Sequence, residues 1–235
     1  MRSRERTLME GTRSIVAPLC APPQIAYAAR MPVQTLFSTR VYTAKLSGVP
    51  ADRLNARLLR ECRVLAQDDA AGRAWSETNY PGGYTSYDSA PRMHRMSPTF
   101  AALEKRIDAH VRGFARTLDF DLAGRKLAMT DCWVNVMTRQ VVHGLHLHPL
   151  ASLSGTYYVR TPRGCSGLKF EDPRLERFMA APPRKAKARR ENKVWVTVPA
   201  EQGKLVLFES WLRHEVAPNP TEAERISISF NYSWF

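Results

Sequence analysis

Residues 127–160, LAMTDCWVNVMTRQVVHGLHLHPLASLSGTYYVR, mark the point at which the hydrophobic spacing of this chain changes. From here on the sequence falls into short β-rich runs: LAMTDCWVNVM and HLHPLASLSGTYYVR, then GLKFED, KVWVTVPA, GKLVLFES and RISISFNYSWF. Turn residues such as Pro162-Arg163-Gly164 and Gln202-Gly203 separate them. Upstream the spacing is helical. Residues 51–66 (ADRLNARLLRECRVLA) put Leu54, Leu58, Leu59, Cys62 and Leu65 on one stripe, and 98–118 do the same with Phe100, Leu103, Ile107, Val111 and Phe114 behind a Ser97 cap. Residues 33–46 read as an entry strand, and 77–90 (ETNYPGGYTSYDSA) as a turn-rich stretch. Two helices followed by a run of strands predict a mainly β fold with flanking helices: a cupin-like jelly roll, with the N-terminal helices packed on the outer face of one sheet.

The chain has 235 residues, 44% of them hydrophobic, with five Trp, which is enough for one packed domain. No apolar run approaches the roughly 20 residues needed to span a bilayer, so a soluble protein without a membrane partner is expected. Cys20, Cys62, Cys132 and Cys165 lie far apart with no CxxC pair; neither a disulfide framework nor a zinc knuckle is indicated, and reduced thiols in a cytoplasm are expected. Residues 1–30 carry five Arg, two Glu and a Pro-Pro. They are expected to form a disordered extension, leaving 31–235 as a single domain.

The net charge of +13 invites a nucleic-acid reading, so its placement matters. Residues 174–193 (RLERFMAAPPRKAKARRENK) hold eight Lys or Arg against Glu176 and Glu191, nearly half the excess in one segment between two strands. Such a run is most often a solvated loop and less often a steering element for an acidic macromolecule. The rest is scattered without the interleaved aromatics that stack bases, so nucleic acid is the lesser alternative as a partner.

The chemistry concentrates in histidines. His146 and His148, two residues apart, project to one face of a strand that Pro149 ends, and His214 from a distant strand can close a three-cornered metal site. Arg225 follows His214 by 11 residues and heads RISISFN, where Arg225, Ser227, Ser229 and Asn231 alternate with Ile226, Ile228 and Phe230. A polar face of this kind usually meets water; here Arg225 with Ser227 can instead clamp a carboxylate. Asn135 is expected to point inward and bond a co-substrate or a ligand histidine, and only one of Tyr157 and Tyr158 can reach the same cavity. Phe208 and Trp211 are expected to pack around the site. Asp172, before Pro173, and His143, an odd number of residues from His146 and able to join it only if Gly144 makes a bulge, are weaker metal candidates. No catalytic side chain beyond the metal site is indicated.

The spaced pattern HxHP, SGTYYV, FEDPR, FESWLRHEV and RISISFNYSW, with GGYTSY at 82–87 and CWVNV at 132–136, resembles the 2-oxoglutarate and Fe(II)-dependent oxygenase family of bacteria and phages. The resemblance covers about 31–235. It implies a double-stranded β-helix, Fe(II) held by His146, His148 and His214, and 2-oxoglutarate held by Arg225 with Ser227. Oxidation of a prime substrate, with succinate as co-product, is the implied activity. This sequence departs from the wider superfamily at His148, where most members carry a carboxylate. The alternatives are a three-His dioxygenase that uses no 2-oxoglutarate, and a non-enzymatic basic β-roll that binds an acidic partner through 174–193.

Overall fold

In the computed structural model, residues 33–235 are described; the reading of 1–30 falls outside them. Ten strands form two antiparallel sheets. Strands β1 (Val41–Lys45), β2 (Tyr84–Thr85), β3 (Leu127–Met137), β5 (Leu153–Arg160), β8 (Lys204–Glu209) and β10 (Arg225–Trp234) make a six-stranded sheet in the order β1-β8-β5-β10-β3-β2. Strands β4 (His143–His146), β6 (Leu168–Glu171), β7 (Trp195–Val198) and β9 (His214–Val216) make a four-stranded one in the order β4-β9-β6-β7. This is the expected jelly roll, a double-stranded β-helix with helices on one side, all within the compact unit Thr39–Phe235.

Helices α1 (Val49–Asp68) and α4 (Pro98–Thr117) cover the outer face of the larger sheet. Each uses the stripe read from its spacing. Leu54, Leu58 and Cys62 of α1 and Phe100, Leu103, Ile107, Val111 and Phe114 of α4 are buried against Val134, Tyr157, Leu205, Leu207, Ile226, Ile228 and Phe230. The Ser97 hydroxyl accepts from the backbone N–H groups of Thr99 (3.1 Å) and Phe100 (3.4 Å), satisfying two donors that the first turn of α4 leaves free. Asn55 latches α1 to β5: its Nδ2 donates to the Val159 carbonyl at 3.1 Å and its Oδ1 accepts from the Tyr157 hydroxyl at 3.0 Å. Gly155 allows the close approach of β5 to its neighbours, since a Cβ there would lie 2.5 Å from the Val206 carbonyl oxygen and 2.6 Å from the Phe230 ring.

Several elements differ from the sequence reading. The entry strand is confined to Val41–Lys45, because only there does the chain pair with β8. Two helices come without an apolar stripe to announce them: α2 (Ala70–Asn79), capped by Asp69, whose carboxylate accepts from the Gly72 N–H and the Tyr84 hydroxyl, and the single turn α3 (Met93–Met96). The basic segment between β6 and β7 contains only two 3₁₀ turns, Leu175–Arg177 and Arg190–Asn192, and is largely exposed. No helix among the described residues is long and apolar enough to cross a membrane.

Candidate metal centre

The alternation in β10 sorts its side chains into two buried sets. Ile226, Ile228, Phe230 and Tyr232 face the helices, while Arg225, Ser227 and Ser229 face the four-stranded sheet and line a cavity between the two sheets. With helices on one face and a second sheet on the other, β10 is largely shielded from water between Arg225 and Tyr232, so its polar residues there need partners inside the protein.

Four of the six histidines line that cavity: His143, His146, His148 and His214. His146, at the end of β4, pairs in register with His214, at the start of β9, and their ring centroids are 4.3 Å apart. His148 does not share the strand of His146, as the two-residue spacing suggested; β4 ends at His146. The irregular segment after β4 presents it instead, held by a bond from its backbone N–H to the Ser210 carbonyl at 3.0 Å, and its ring lies 5.1 Å from that of His146 and 5.2 Å from that of His214. One ring nitrogen from each of His146, His148 and His214 lies within 4.8 Å of the other two, close enough for one transition-metal ion to reach all three.

Backbone carbonyls orient two of these rings. The Gly144 carbonyl accepts from His146 Nδ1 at 2.7 Å and the Leu212 carbonyl from His214 Nδ1 at 2.9 Å. A carbonyl can only accept, so the proton sits on Nδ1 and Nε2 is bare. His148 Nε2 lies 3.3 Å from His214 Nε2 and, in the metal-free protein, donates to that bare nitrogen. His148 has Asn231 beside it, and Asn231 Oδ1 accepts from the Ser154 hydroxyl at 2.8 Å. Burial, reinforced by the neighbouring imidazoles, pushes His214 down to about 2 and His148 to about 4, so both stay neutral, the form a metal requires.

Gly144 does make the bulge on which His143 depended. Between His143↔Val216 and His146↔His214, three steps along β4 oppose two along β9. The bulge turns His143 into the cavity, where it stacks on His146 (4.5 Å, 21°) and lies 5.4 Å from the Tyr80 ring. It stays outside the three-nitrogen cluster. Asp172 lies elsewhere: its carboxylate takes the Arg174 side chain at 2.8 and 3.0 Å and the Arg174 N–H at 2.9 Å, the turn-forming role of an Asp before Pro.

The deep end of the cavity is cationic. Arg225 is 2% exposed, its guanidinium 5.0 Å over the Tyr158 ring, with Nη1 contacting Ser227 Oγ at 3.3 Å and Met137 Sδ at 3.1 Å. Among the described residues no carboxylate pairs with it, and three buried polar atoms around it lack any partner: Arg225 Nε, Tyr80 OH and Tyr158 OH. A buried, unpaired guanidinium flanked by idle hydroxyl donors is a socket for a carboxylate. Tyr158 is thus the inward member of its pair; Tyr157 faces α1. Asn135 points inward as expected, with Nδ2 donating to Ser229 Oγ at 3.0 Å and Oδ1 accepting from Thr85 Oγ1 at 2.9 Å. Phe208 packs edge-on to His214 at 4.6 Å, but Trp211 is 46% exposed and borders a neighbouring groove with Leu147 and Arg213. Tyr80 was not legible beforehand; the only sign of it was its place in the turn NYPGGY.

Residues 131–231 match the family described as "Putative 2OG-Fe(II) oxygenase". The matched segment contains both ends of the cavity, the three imidazoles and Arg225. Solved structures share the fold. A prolyl-4-hydroxylase from Pseudomonas putida is 17% identical, with 84% of this chain and 94% of that one covered and a TM-score of 0.56. The epimerase SnoN, in complex with Fe3+, α-ketoglutarate and nogalamycin RO, is 15% identical over 83% of this chain and 79% of its own, with a TM-score of 0.54. HygX from Streptomyces hygroscopicus, with nickel, 2-oxoglutarate and hygromycin B bound, is 15% identical over 83% of each chain, with a TM-score of 0.51. Comparison with curated protein sequences returns no match.

Proposed function

We propose that this chain is an Fe(II)- and 2-oxoglutarate-dependent dioxygenase in which His146, His148 and His214 hold the iron and Arg225 with Ser227 holds the far carboxylate of 2-oxoglutarate. The observation that carries the reading is the unpaired Arg225 guanidinium, with the idle Tyr80 and Tyr158 hydroxyls beside it, in the same cavity as the clustered imidazoles of His146, His148 and His214. Bound iron and 2-oxoglutarate supply the oxidative chemistry, decarboxylation to succinate coupled to hydroxylation of a C–H bond of a prime substrate. The protein's part is binding and orientation. The Gly144 and Leu212 carbonyls keep the Nε2 faces of His146 and His214 deprotonated and aimed; Arg225 and Ser227 fix one end of the dicarboxylate; Asn135 presents an amide from the wall between. With three neutral imidazoles and no carboxylate, the centre carries one more positive charge than a two-His, one-carboxylate site, which favours an anionic co-substrate.

The test is succinate release from 2-oxoglutarate with added Fe(II) and ascorbate, with Arg225→Ala in parallel. The wild type is expected to release succinate and the variant to lose it, at least about 100-fold in kcat/KM, as follows from removing a buried charge-assisted clamp. Release unaffected by the substitution removes Arg225 from its role. Iron binding without any 2-oxoglutarate binding transfers the site to a three-His dioxygenase that oxidises a substrate bound directly to the metal.

A further inference from the structure

Trp133 is the one buried aromatic ring among the described residues that belongs to none of the three apolar clusters of the core. It projects inward from β3, lines the cavity, and lies 5.9 Å from the His148 ring, centroid to centroid. Its other neighbour is Tyr87, 5.2 Å away and edge-on, and Tyr87 is 6.2 Å from Trp75. Exposure rises along the series: Trp133 is 3% exposed and Tyr87 52%. A column of oxidisable rings in contact therefore runs from an imidazole of the metal cluster to solvent.

We infer that Trp133 and Tyr87 form an electron relay that drains oxidising equivalents from the iron centre when oxygen is activated without a prime substrate; the inference rests on the oxygenase reading above. In such an abortive turnover a bound iron would hold two oxidising equivalents above Fe(II). One electron passes from Trp133 to the metal, leaving an indole radical cation. Tyr87 refills Trp133 and, being at the surface, sheds its phenolic proton to water as it becomes a neutral radical. Ascorbate, the reductant in the assay, returns one electron and one proton to Tyr87. Two passes through Trp133 and Tyr87 would supply the two electrons that, with two protons from solvent, return a bound iron to Fe(II) and reduce the oxygen atom to water. The other rings near the centre offer no such exit. Phe208 and Phe170 resist oxidation and lead into the core, whereas Tyr80 and Tyr158 are buried, 5% and 0% exposed, out of reach of a reductant in solvent. Without a drain, the oxidant would attack what surrounds it, including the ligand imidazoles and the Met137 thioether.

The experiment mixes the Fe(II)-loaded protein with 2-oxoglutarate and oxygen without prime substrate. It reads freeze-quenched electron paramagnetic resonance, succinate, and the site of oxidation by peptide mass spectrometry, in the wild type, Tyr87→Phe and Trp133→Phe. Expected is a transient tyrosyl signal in the wild type that narrows with ring-deuterated tyrosine and vanishes in Tyr87→Phe. In that variant a one-oxygen mass increment accumulates on Trp133, and turnovers before inactivation fall several-fold. In Trp133→Phe the signal is lost and oxidation moves to the histidines and Met137. Succinate with no aromatic radical, or the same signal and oxidation pattern in Tyr87→Phe, overturns the relay and leaves the oxygenase reading standing. Absence of succinate from the wild type overturns both.

Discussion

The two ends of the cavity are built differently. The imidazole end rests on short strands, β4 of four residues and β9 of three, with a bulge, an irregular segment and two backbone carbonyls to aim the rings. It lies near the surface: Leu147, between two of the imidazoles, is 43% exposed. The guanidinium end rests on β10, a ten-residue strand paired along both edges, and Arg225 is 2% exposed. One end offers neutral acceptors that cost little while empty. The other holds a permanent charge in the interior with no counter-ion among the described residues, an arrangement that weakens the ligand-free fold and suits the anion proposed above. Affinity for the metal and affinity for the co-substrate therefore trade differently against stability.

The sharpest way to break this contrast is His214→Ala. Loss of one of three ligands is expected to weaken metal binding by more than the roughly 10–100-fold typical of losing a supporting partner, while the unfolding midpoint of the metal-free protein falls by no more than an ordinary buried truncation would cause. Metal titration and thermal unfolding check the two halves; retained stoichiometric binding would remove His214 from the cluster. Arg225→Met probes the other end. It is expected to weaken 2-oxoglutarate binding by about 2–4 kcal/mol yet to leave the metal-free, co-substrate-free protein as stable as the wild type or about 1 kcal/mol more so, because the buried charge is gone. A clear drop in its denaturation midpoint would mean that the guanidinium stabilises the fold, and the contrast would fail.

Within the cavity the pH dependence belongs to the imidazole end, since arginine stays charged throughout. Burial holds His143 at about 3, His148 at about 4 and His214 at about 2, all below the ordinary 6.5. Between roughly pH 6.5 and 4 the unfolded chain takes up protons that the folded one refuses, so acid favours unfolding. The stability of the metal-free protein is expected to be fully present above pH 6.5 and to decline as the pH falls towards 4. Denaturant titrations at pH 7 and pH 5 measure the decline, and equal midpoints would show that these rings are protonated in the fold.

Much of this architecture was legible in local pattern. The stripes of α1 and α4, the Ser97 cap and the alternation of β3 and β10 are periodicities that survive into the structure because the larger sheet buries the faces they define. The conditional reading of His143 was legible too, since a glycine in a strand is where a bulge forms. The rest was not. Helix α2, AAGRAWSETN, has no apolar stripe and is held by its Asp69 cap and by the burial of Gly72 and Ser76, and β9 is too short to show alternation. His148 joins the three-imidazole cluster from beyond the end of β4, so its place rests on tertiary contacts rather than on the strand alternation from which it was expected.

Sequence alone determined which residues could share a face, because the 3.6-residue and two-residue periods are set by backbone geometry within a single element. It also supplied the candidate donors: three imidazoles, a guanidinium and a hydroxyl, each with the ligand chemistry of its side chain. Only the tertiary structure decided that the polar face of β10 is enclosed by a second sheet rather than wetted, that His214 meets His146 across a ladder 68 residues distant in the chain, and that Tyr80 and Tyr158 bring idle hydroxyls to Arg225. Those are facts of which surfaces pack together. Long-range burial turns an ordinary amphipathic strand into the wall of a binding site, and no local pattern records it.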